Sequence, residues 1–176
     1  MTPEFSRPVD ADTVSESART IEMGADETER RRLAGRFRLV AIDRLSAEIT
    51  LQRRAGIIHA EGRVVADVVQ SCVITGDLLP THIDAPFSVR YLSGALGPSG
   101  GEEVELSRDD CDTLPIESGR IDLGELAAET LALALDPYPR SSGADAALEK
   151  NVSGAEADGG TFAALKALKE RLEKGR

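Results

Sequence analysis

Aromatic residues are scarce in this sequence of 176 residues, which contains no tryptophan and only 3% Phe, Trp and Tyr. Proteins that bind single-stranded nucleic acids commonly stack bases on aromatic side chains, and the composition disfavours a platform of that kind. Hydrophobic residues still make up 41% of the chain, so the core must be built mainly from Ala, Val, Leu and Ile. The length predicts one domain of ordinary size with additional tails.

Basic residues are outnumbered by acidic ones. The chain has 21 Lys and Arg residues against 31 Asp and Glu residues, which gives a formal net charge of −10. A protein with this charge repels a phosphate backbone at long range and attracts basic partners. Binding of nucleic acid by the whole surface is therefore disfavoured, whereas a local basic patch is still compatible with the sequence.

Cysteine is also rare, and the two residues, Cys72 and Cys111, are far apart along the chain. Together with His59 and His82 they provide four side chains of the types that bind zinc. Structural zinc sites usually take their ligands in close pairs, and these four residues contain no such pair. We therefore predict no metal and no cofactor, with two thiols acting as small hydrophobic groups and two histidines at the surface.

Long apolar runs are absent as well. No stretch approaches the roughly 18 apolar residues that a transmembrane helix needs, and the first residues lack the pattern of a secretory signal. With so few cysteines, this predicts a soluble protein of the reducing cytoplasm with no membrane partner. The sequence also lacks a P-loop, a GxGxxG fingerprint and an HExxH motif.

Three consecutive runs alternate apolar and polar residues, which is the pattern of half-buried strands. Short links between the runs predict an antiparallel meander. In the second run, Gly62 marks a position where a long strand could bend or bulge. In the third, Pro86 cannot donate a ladder hydrogen bond, which predicts an edge strand or a bulge. The runs are Leu45–Leu51, Ile58–Val68 and Ile83–Tyr91.

Helical spacing follows the meander. Apolar residues recur every three or four positions from Leu123 to Leu135, with Asp122 as a start signal and Pro137 as a stop signal. This predicts a helix over 121–135 that covers the apolar face of the sheet. The fold class is therefore α+β, with an antiparallel sheet of three to five strands packed against a late amphipathic helix and with flanking terminal helices.

The same patterns divide the chain into four segments. Residues 1–25 show neither period and predict a mobile tail, with a short first strand near Phe5–Val9. The α+β domain is predicted over 26–140, followed by a linker over 141–160. Residues 161–176 predict a C-terminal amphipathic helix, which docks either on the domain or in a groove of a partner.

The predicted domain opens with a helix. Asp26 and Glu29 form a variant of the capping box, and helical spacing continues over about 27–40. Gly35 predicts that this helix is interrupted or ends near that position.

One segment concentrates negative charge. Residues 101–118 contain seven acidic residues and one basic residue, Arg108, for a net charge of −6. A short strand over Val104–Leu106 is compatible with the pattern. The segment lacks the spacing of a calcium loop, and it is interpreted either as a solvated loop or as a surface that captures a Lys- or Arg-rich partner. The candidate partner-binding residues are Glu102, Glu103, Glu105, Asp109, Asp110, Asp112 and Glu117.

Positive charge clusters on the predicted first helix and at the end of the first long strand. Such a cluster in an acidic protein is a candidate contact for phosphates of structured RNA. The alternative is a helix whose polar face is rich in arginine and neutralised by nearby glutamates. The residues are Arg30, Arg31, Arg32, Arg36, Arg38, Arg53 and Arg54.

Two stretches occur in an order and spacing typical of one known family. The first runs from Gly62 to Pro80 and continues through Ile83–Phe87, and the second joins Gly119–Leu126 to Leu131–Arg140. Over about residues 28–145 the chain resembles the YceD family of bacterial large ribosomal RNA subunit accumulation proteins. The resemblance implies a role in the synthesis, processing or stability of 23S ribosomal RNA, with no known catalytic activity.

Many members of that family carry a Cys-x-x-Cys after the central strand and a second cysteine-rich stretch after the late helix, which suggests a metal in those branches. Here Thr75 stands where the second cysteine of that motif would be, three residues after Cys72, and residues 136–140 contain no cysteine. The resemblance therefore implies no metal site in this chain. The residues of the family motif that remain are Cys72, Thr75, Asp136, Pro137 and Tyr138.

The leading hypothesis is a non-enzymatic ribosome-biogenesis factor that uses its acidic segment to hold a basic large-subunit ribosomal protein or pre-ribosomal particle. The first alternative is direct binding of structured RNA through the arginines, with a contact to ribosomal RNA. The second is a thiol-dependent enzyme at Cys72, in which a cysteine beside a base acts as nucleophile.

Overall fold

The structure is a computed structural model that describes residues 3–92, 113–116 and 118–149. In chain order its strands are β1 (Pro8–Asp10), β2 (Arg19–Gly24), β3 (Ala41–Arg54), β4 (Ile57–Ser71), β5 (Leu78–Leu92), β6 (Thr113–Pro115) and β7 (Arg120–Asp122). The helices are α1 (Glu27–Phe37) and α2 (Leu123–Ala134), with a 3₁₀ turn at Ala11–Thr13. Residues 144–149 are also helical.

A five-stranded sheet with the order β2-β3-β4-β5-β6 forms the centre of the fold. The pairs β2–β3 and β3–β4 are antiparallel, whereas β6 pairs with β5 in parallel. The three long strands coincide with the three alternating runs of the sequence, so the predicted meander and the α+β class are confirmed. A separate two-stranded sheet pairs β1 with β7.

The apolar side chains of the long strands face one core. Leu45, Ile49 and Leu51 of β3 are almost completely buried, while Glu48 between them is exposed. This alternation places every second residue of a strand on the packed face. Leu126 and Leu131 of α2 belong to the same buried cluster, so α2 packs against the apolar face of the sheet as predicted.

The link between β3 and β4 is a two-residue hairpin. Arg54 pairs with Ile57, and the two residues between them, Ala55 and Gly56, both have positive φ, of 49° and 82°. That combination is characteristic of a type I′ turn, whose twist matches the flanking strands. The hairpin fixes the register of the longest strand pair.

Gly62 has a different role from the bend or bulge predicted for it. It pairs in register with Ile49, and the irregularity of this ladder lies instead between Ile42 and Arg44. A β-carbon at Gly62 would lie 2.1 Å from the carbonyl oxygen of Glu48. Glycine is therefore required here by the close approach of a neighbouring backbone.

An aspartate caps the N-terminus of α1 and of α2. The side chain of Asp26 accepts a hydrogen bond from the Glu29 amide and Glu29 accepts one from the Asp26 amide, which completes the predicted capping box of α1. The helix continues past Gly35 and ends at Phe37, followed by Arg38 in the left-handed conformation. Asp122 caps α2 through the amides of Gly124 and Glu125.

Residues 3–25 form regular secondary structure that packs on the domain. The sequence predicts a mobile tail here, because its apolar residues follow neither the strand nor the helix periodicity. This stretch contains β1, the 3₁₀ turn and β2, and the side chain of Phe5 is fully buried. Val9 of β1 pairs with Ile121 of β7. These partners lie more than a hundred residues away in sequence, so no local pattern within 1–25 can indicate them.

The chain divides into two compact units. The larger consists of Met1–Gln70 and Pro80–Pro137, and the smaller consists of Ser71–Leu79 and Tyr138–Arg176. The helical residues 144–149 fall in the stretch predicted to be a linker. The predicted strand over Val104–Leu106 and the predicted helix over 161–176 lie outside the described residues. Within the described ranges, no helix is long and apolar enough to span a bilayer.

Candidate functional site

The seven acidic residues predicted to bind a partner lie outside the described residues, since the description stops at Leu92, resumes at Thr113 and omits residue 117. The sheet holds both flanks of this segment. Arg90 of β5 pairs with Thr113 of β6, and Leu92 pairs with Pro115. The residues on either side of the undescribed stretch, Leu92 and Thr113, therefore lie on neighbouring strands at one edge of the central sheet.

The predicted arginine cluster divides into separate groups, the first of which is Arg53. Its guanidinium donates to the carbonyl oxygens of Val14 at 3.0 Å and Ala11 at 2.6 Å. Its backbone amide also donates to the carbonyl of Ser15. Arg53 thus holds the N-terminal segment to β3.

Three arginines of α1 are engaged with neighbouring groups. Arg30 donates to the carbonyl of Ala25 at 2.8 Å, and Arg31 forms an exposed ion pair with Glu27 one turn earlier. The guanidinium of Arg36 bonds both carboxylate oxygens of Glu125, at 2.6 and 3.0 Å, and also reaches Glu4. These bonds to Glu125 and Glu4 raise the pKa of Arg36.

Three arginines remain from the predicted cluster. Arg54 donates to the side-chain oxygen of Gln52. Arg32 and Arg38 are exposed, and their guanidinium groups have no polar partner among the residues that the structure describes. The charge available to an outside phosphate on α1 and its C-terminal end is therefore concentrated at Arg32 and Arg38.

Arg7 is a structural cation that the sequence analysis missed. Its guanidinium forms two hydrogen bonds with Glu29, at 2.7 and 3.0 Å, and lies 4.7 Å from the centre of the Phe5 ring. The bonds with Glu29 raise the pKa of Arg7 and lower that of the glutamate. Arg7 stands in the segment predicted to be a tail, where an isolated arginine gives no signal of a partner.

Cys72 lies in a tight turn of the second unit. Its amide donates to the carbonyl of Asp77 at 2.8 Å, and its own carbonyl accepts from Gly76, whose φ is +77°. The residue is 3% exposed, and its sulfur accepts hydrogen bonds from the amides of Thr75 at 3.4 Å and Ser141 at 3.3 Å. The turn and the chain after α2 therefore meet at this sulfur.

Hydrogen-bond donors around the sulfur stabilise the thiolate. They lower the pKa of Cys72 to about 6, first through the hydroxyl of Thr75 and then through the amide of Ser141. The Thr75 hydroxyl also lies 2.6 Å from a carboxylate oxygen of Asp77. A hydroxyl has only one proton to donate, so Thr75 cannot donate to Asp77 and to the sulfur at the same time. When it donates to Asp77, the amides of Thr75 and Ser141 are the donors that bond the sulfur.

The groups around Cys72 do not fit a structural zinc site. Zinc in such sites takes four Cys or His ligands, whereas here the sulfur accepts hydrogen bonds from the amides of Thr75 and Ser141. The hydroxyls of the same two residues lie 3.3 Å apart. Across the described ranges, no three His, Cys, Asp or Glu side chains converge in a metal-binding group. The turn after β4 and the chain after α2 are therefore joined at Cys72 by the two amide hydrogen bonds to the sulfur and by the contact between the Thr75 and Ser141 hydroxyls.

The other predicted motif residues lie at the end of α2. The carbonyl of Asp136 accepts a hydrogen bond from the buried side chain of Gln70 at 2.9 Å, which holds the chain as the helix ends. Tyr138 is exposed, and the carbonyl of Pro139 accepts from the amide of Val73. Ser141 donates its amide to the Cys72 sulfur. It is absent from the predicted motif, which ends at Tyr138.

The other three residues considered as zinc ligands are His59, His82 and Cys111. His82 of β5 lies 2.6 Å from a carboxylate oxygen of Asp67 on β4, on the exposed face of the sheet. His59 is half-buried on β4, and Cys111 lies outside the described residues.

Comparison with known proteins identifies one family. A family model described as "Large ribosomal RNA subunit accumulation protein YceD" matches residues 60–169, which is more than half of the chain. No curated protein and no solved structure matches the chain.

Proposed function

The chain belongs to the YceD family, and from this premise we propose that it is a non-enzymatic, cytoplasmic factor that supports the accumulation of 23S ribosomal RNA. The family match is the observation that carries the proposal. It extends over β5, α2 and the part of β4 from Ala60 onward, so it includes two of the three long strands and the helix that covers them.

The charge of the chain supports an adaptor mechanism. A net charge of −10, with −6 of it in residues 101–118, favours contact with a basic protein over contact with a phosphate backbone. Large-subunit ribosomal proteins are generally basic because they neutralise ribosomal RNA. The adaptor would hold such a protein, or a pre-ribosomal particle that presents it, through Glu102–Glu117.

Co-purification with and without RNase tests the proposal. The full tagged chain is expected to retain one or more basic large-subunit proteins after RNase treatment, at low and moderate salt, as identified by mass spectrometry. The retained protein is then purified and its affinity for the chain is measured directly. Loss of every ribosomal component with RNase contradicts the adaptor mechanism.

Matched charge variants separate the acidic segment from the overall charge. Replacing Glu102, Glu103 and Glu105 with Gln is expected to weaken binding of the retained protein about tenfold or more, since several close charge pairs are lost. The control replaces Glu16, Glu22 and Glu61 with Gln, which removes the same charge from exposed positions elsewhere. Equal effects of the two triple variants would contradict a specific role for the segment.

Direct contact with structured RNA is the second candidate, favoured by Arg32 and Arg38, whose guanidinium groups have no polar partner in the part of the chain that the structure describes. Each phosphate contact that is lost reduces the slope of log affinity against log salt by about 0.9. The double variant Arg32→Ala, Arg38→Ala is therefore expected to flatten this slope by about 2 if both residues contact phosphates. Arg31→Ala, which removes a guanidinium paired with Glu27, is the control. An unchanged slope in the double variant would remove this candidate.

A further inference from the structure

An apolar groove lies between α2 and β5, within the larger compact unit. Its volume is about 550 Å³. The apolar lining includes Phe87 and Val89 of β5, Leu114 of β6 and Leu126 of α2. A cavity of this size accommodates a few apolar side chains of a partner.

The rim of the groove carries an unusually exposed leucine. Leu133 lines the groove and is 88% exposed, more than any other large apolar side chain in the described part of the chain. Pro86 lies on the opposite wall and is exposed as well. A single exposed leucine is common on protein surfaces, but here it adjoins apolar walls that continue into the core.

A carboxylate lies within the same groove. Glu129 precedes Leu133 by four residues, so both side chains lie on one side of α2. The neighbouring Glu125 is bonded to Arg36, whereas Glu129 has no polar partner among the described residues. Burial and the charge of Glu125 raise the pKa of Glu129, and the charge of Arg36 opposes them only in part. A further cation in the groove would favour the ionised carboxylate.

We propose that this groove is a docking site for a basic segment of the protein partner, with an apolar side chain between Leu133 and Phe87 and a Lys or Arg at Glu129. The inference rests on the proposed function and names the surface that binds the basic protein. Charge complementarity identifies the occupant, because an unpaired carboxylate in an apolar groove favours a cationic peptide and repels RNA. The groove is also adjacent in sequence to the acidic segment, since β6 follows Asp112 directly.

A photo-crosslinker at the rim identifies the occupant. The full chain with p-benzoylphenylalanine at position 133 is irradiated with an RNA-free mixture of proteins extracted from large ribosomal subunits. The expected product joins position 133 to one basic large-subunit protein. A product within one chain, or between two copies of it, assigns the groove to the chain itself and overturns the inference.

Two variants test the recognition chemistry against the protein retained after RNase treatment. Leu133→Ser and Glu129→Gln are each expected to weaken its binding about tenfold, because one removes the apolar anchor and the other the charge. Leu148→Ser and Glu61→Gln make the same chemical changes at exposed positions outside the groove and are expected to leave affinity unchanged.

The outcomes distinguish failure of the inference from failure of the proposed function. If the basic protein is retained but neither groove variant weakens its binding, the groove is not the docking site and the adaptor mechanism stands. If no ribosomal protein is retained after RNase treatment, the proposed mechanism and this inference fail together.

Discussion

At Gly62 the β-carbon of any other residue would lie 2.1 Å from the Glu48 carbonyl oxygen and 3.0 Å from the Ile49 α-carbon. These atoms belong to the neighbouring strand and can move only if the ladder moves. We expect Gly62→Ala to lower the free energy of unfolding by about 2 kcal/mol or more, as measured by urea denaturation.

Gly35 provides the matched control, because a β-carbon there meets no atom within 4 Å. Gly35→Ala in the last turn of α1 is expected to raise the free energy of unfolding by about 0.5 kcal/mol, since alanine favours the helix. A similar gain for Gly62→Ala would show that the close approach to Glu48 does not constrain the sheet.

The Cys72 thiol predicts a pH dependence of stability. Its pKa is lowered to about 6 in the folded chain from an ordinary value of 9.0. Between these values the unfolded chain binds more protons, so the contribution of Cys72 to stability grows as pH rises from 6 to 9 and is lost as pH falls through 6. The difference in unfolding free energy between the wild type and Cys72→Ser, measured in reducing buffer, should widen over that range.

Equal pH profiles for the wild type and Cys72→Ser would contradict a folded-state thiolate. The absorbance of the thiolate near 240 nm offers an independent measurement of its titration. Residual function of Cys72→Ser in cells also bears on the enzyme alternative: full function of this variant would exclude a nucleophilic role.

At the scale of the element, the side chains that cap α1 and α2 accept different numbers of hydrogen bonds. Asp26 bonds within its own capping box. Asp122 accepts from the amides of Gly124 and Glu125 and also from the Arg7 amide and the Ser6 hydroxyl. Asp122 therefore joins the start of α2 to the N-terminal segment.

This difference predicts an order of stabilities. Asp26→Ala should lower the free energy of unfolding by about 1 kcal/mol, whereas Asp122→Ala should cost about 2–3 kcal/mol because two further donors lose their acceptor. The asparagine variants keep a capping oxygen and should be milder at both positions. Thermal and urea unfolding provide the measurement, and equal losses for the two alanine variants would contradict the joining role of Asp122.

The elements that could be predicted from sequence are those whose signals are local. Alternation identifies β3, β4 and β5, and capping residues identify the starts of α1 and α2. The strands β1, β2 and β7 are short and depend on distant partners, as the pairing of Val9 with Ile121 shows. The contacts of Arg53 and Arg7 could not be predicted either, because the tertiary fold supplies the groups that accept their hydrogen bonds.

The functional residues, like the strands and helices, could be predicted only where the signal lies within one stretch of sequence. The sequence indicated Cys72, Thr75 and the end of α2 through a resemblance, and the structure shows how Ser141 joins them. The apolar groove was not predicted, because its walls come from α2, β5 and β6 and no single segment carries the pattern. The acidic segment stays a prediction, since it lies outside the described residues.

At the scale of the whole molecule, the N-terminal residues belong to the core. Phe5 is fully buried, and its carbonyl lies so close to α2 that a β-carbon at Gly124 would come within 2.6 Å of it. Phe5→Ala should lower the free energy of unfolding by about 3–5 kcal/mol. Pro3→Ala, at an exposed position, should change it little.

Removal of residues 1–10 extends this prediction. It deletes β1 and the Phe5 side chain together, and calorimetry should show the cooperative transition lost or shifted far down in temperature. A truncated chain that melts like the full chain would mean that the first ten residues are a dispensable tail.

The parallel pairing of β5 with β6 has a consequence for how the chain tolerates change in length. Residues 93–112 are tethered at both ends to adjacent strands, and the free energy of closing such a tether grows only with the logarithm of its length. Doubling the tether costs about 0.6 kcal/mol. An affinity tag or fluorescent domain inserted there is expected to cost little stability, because lengthening the connection leaves the register of the sheet unchanged.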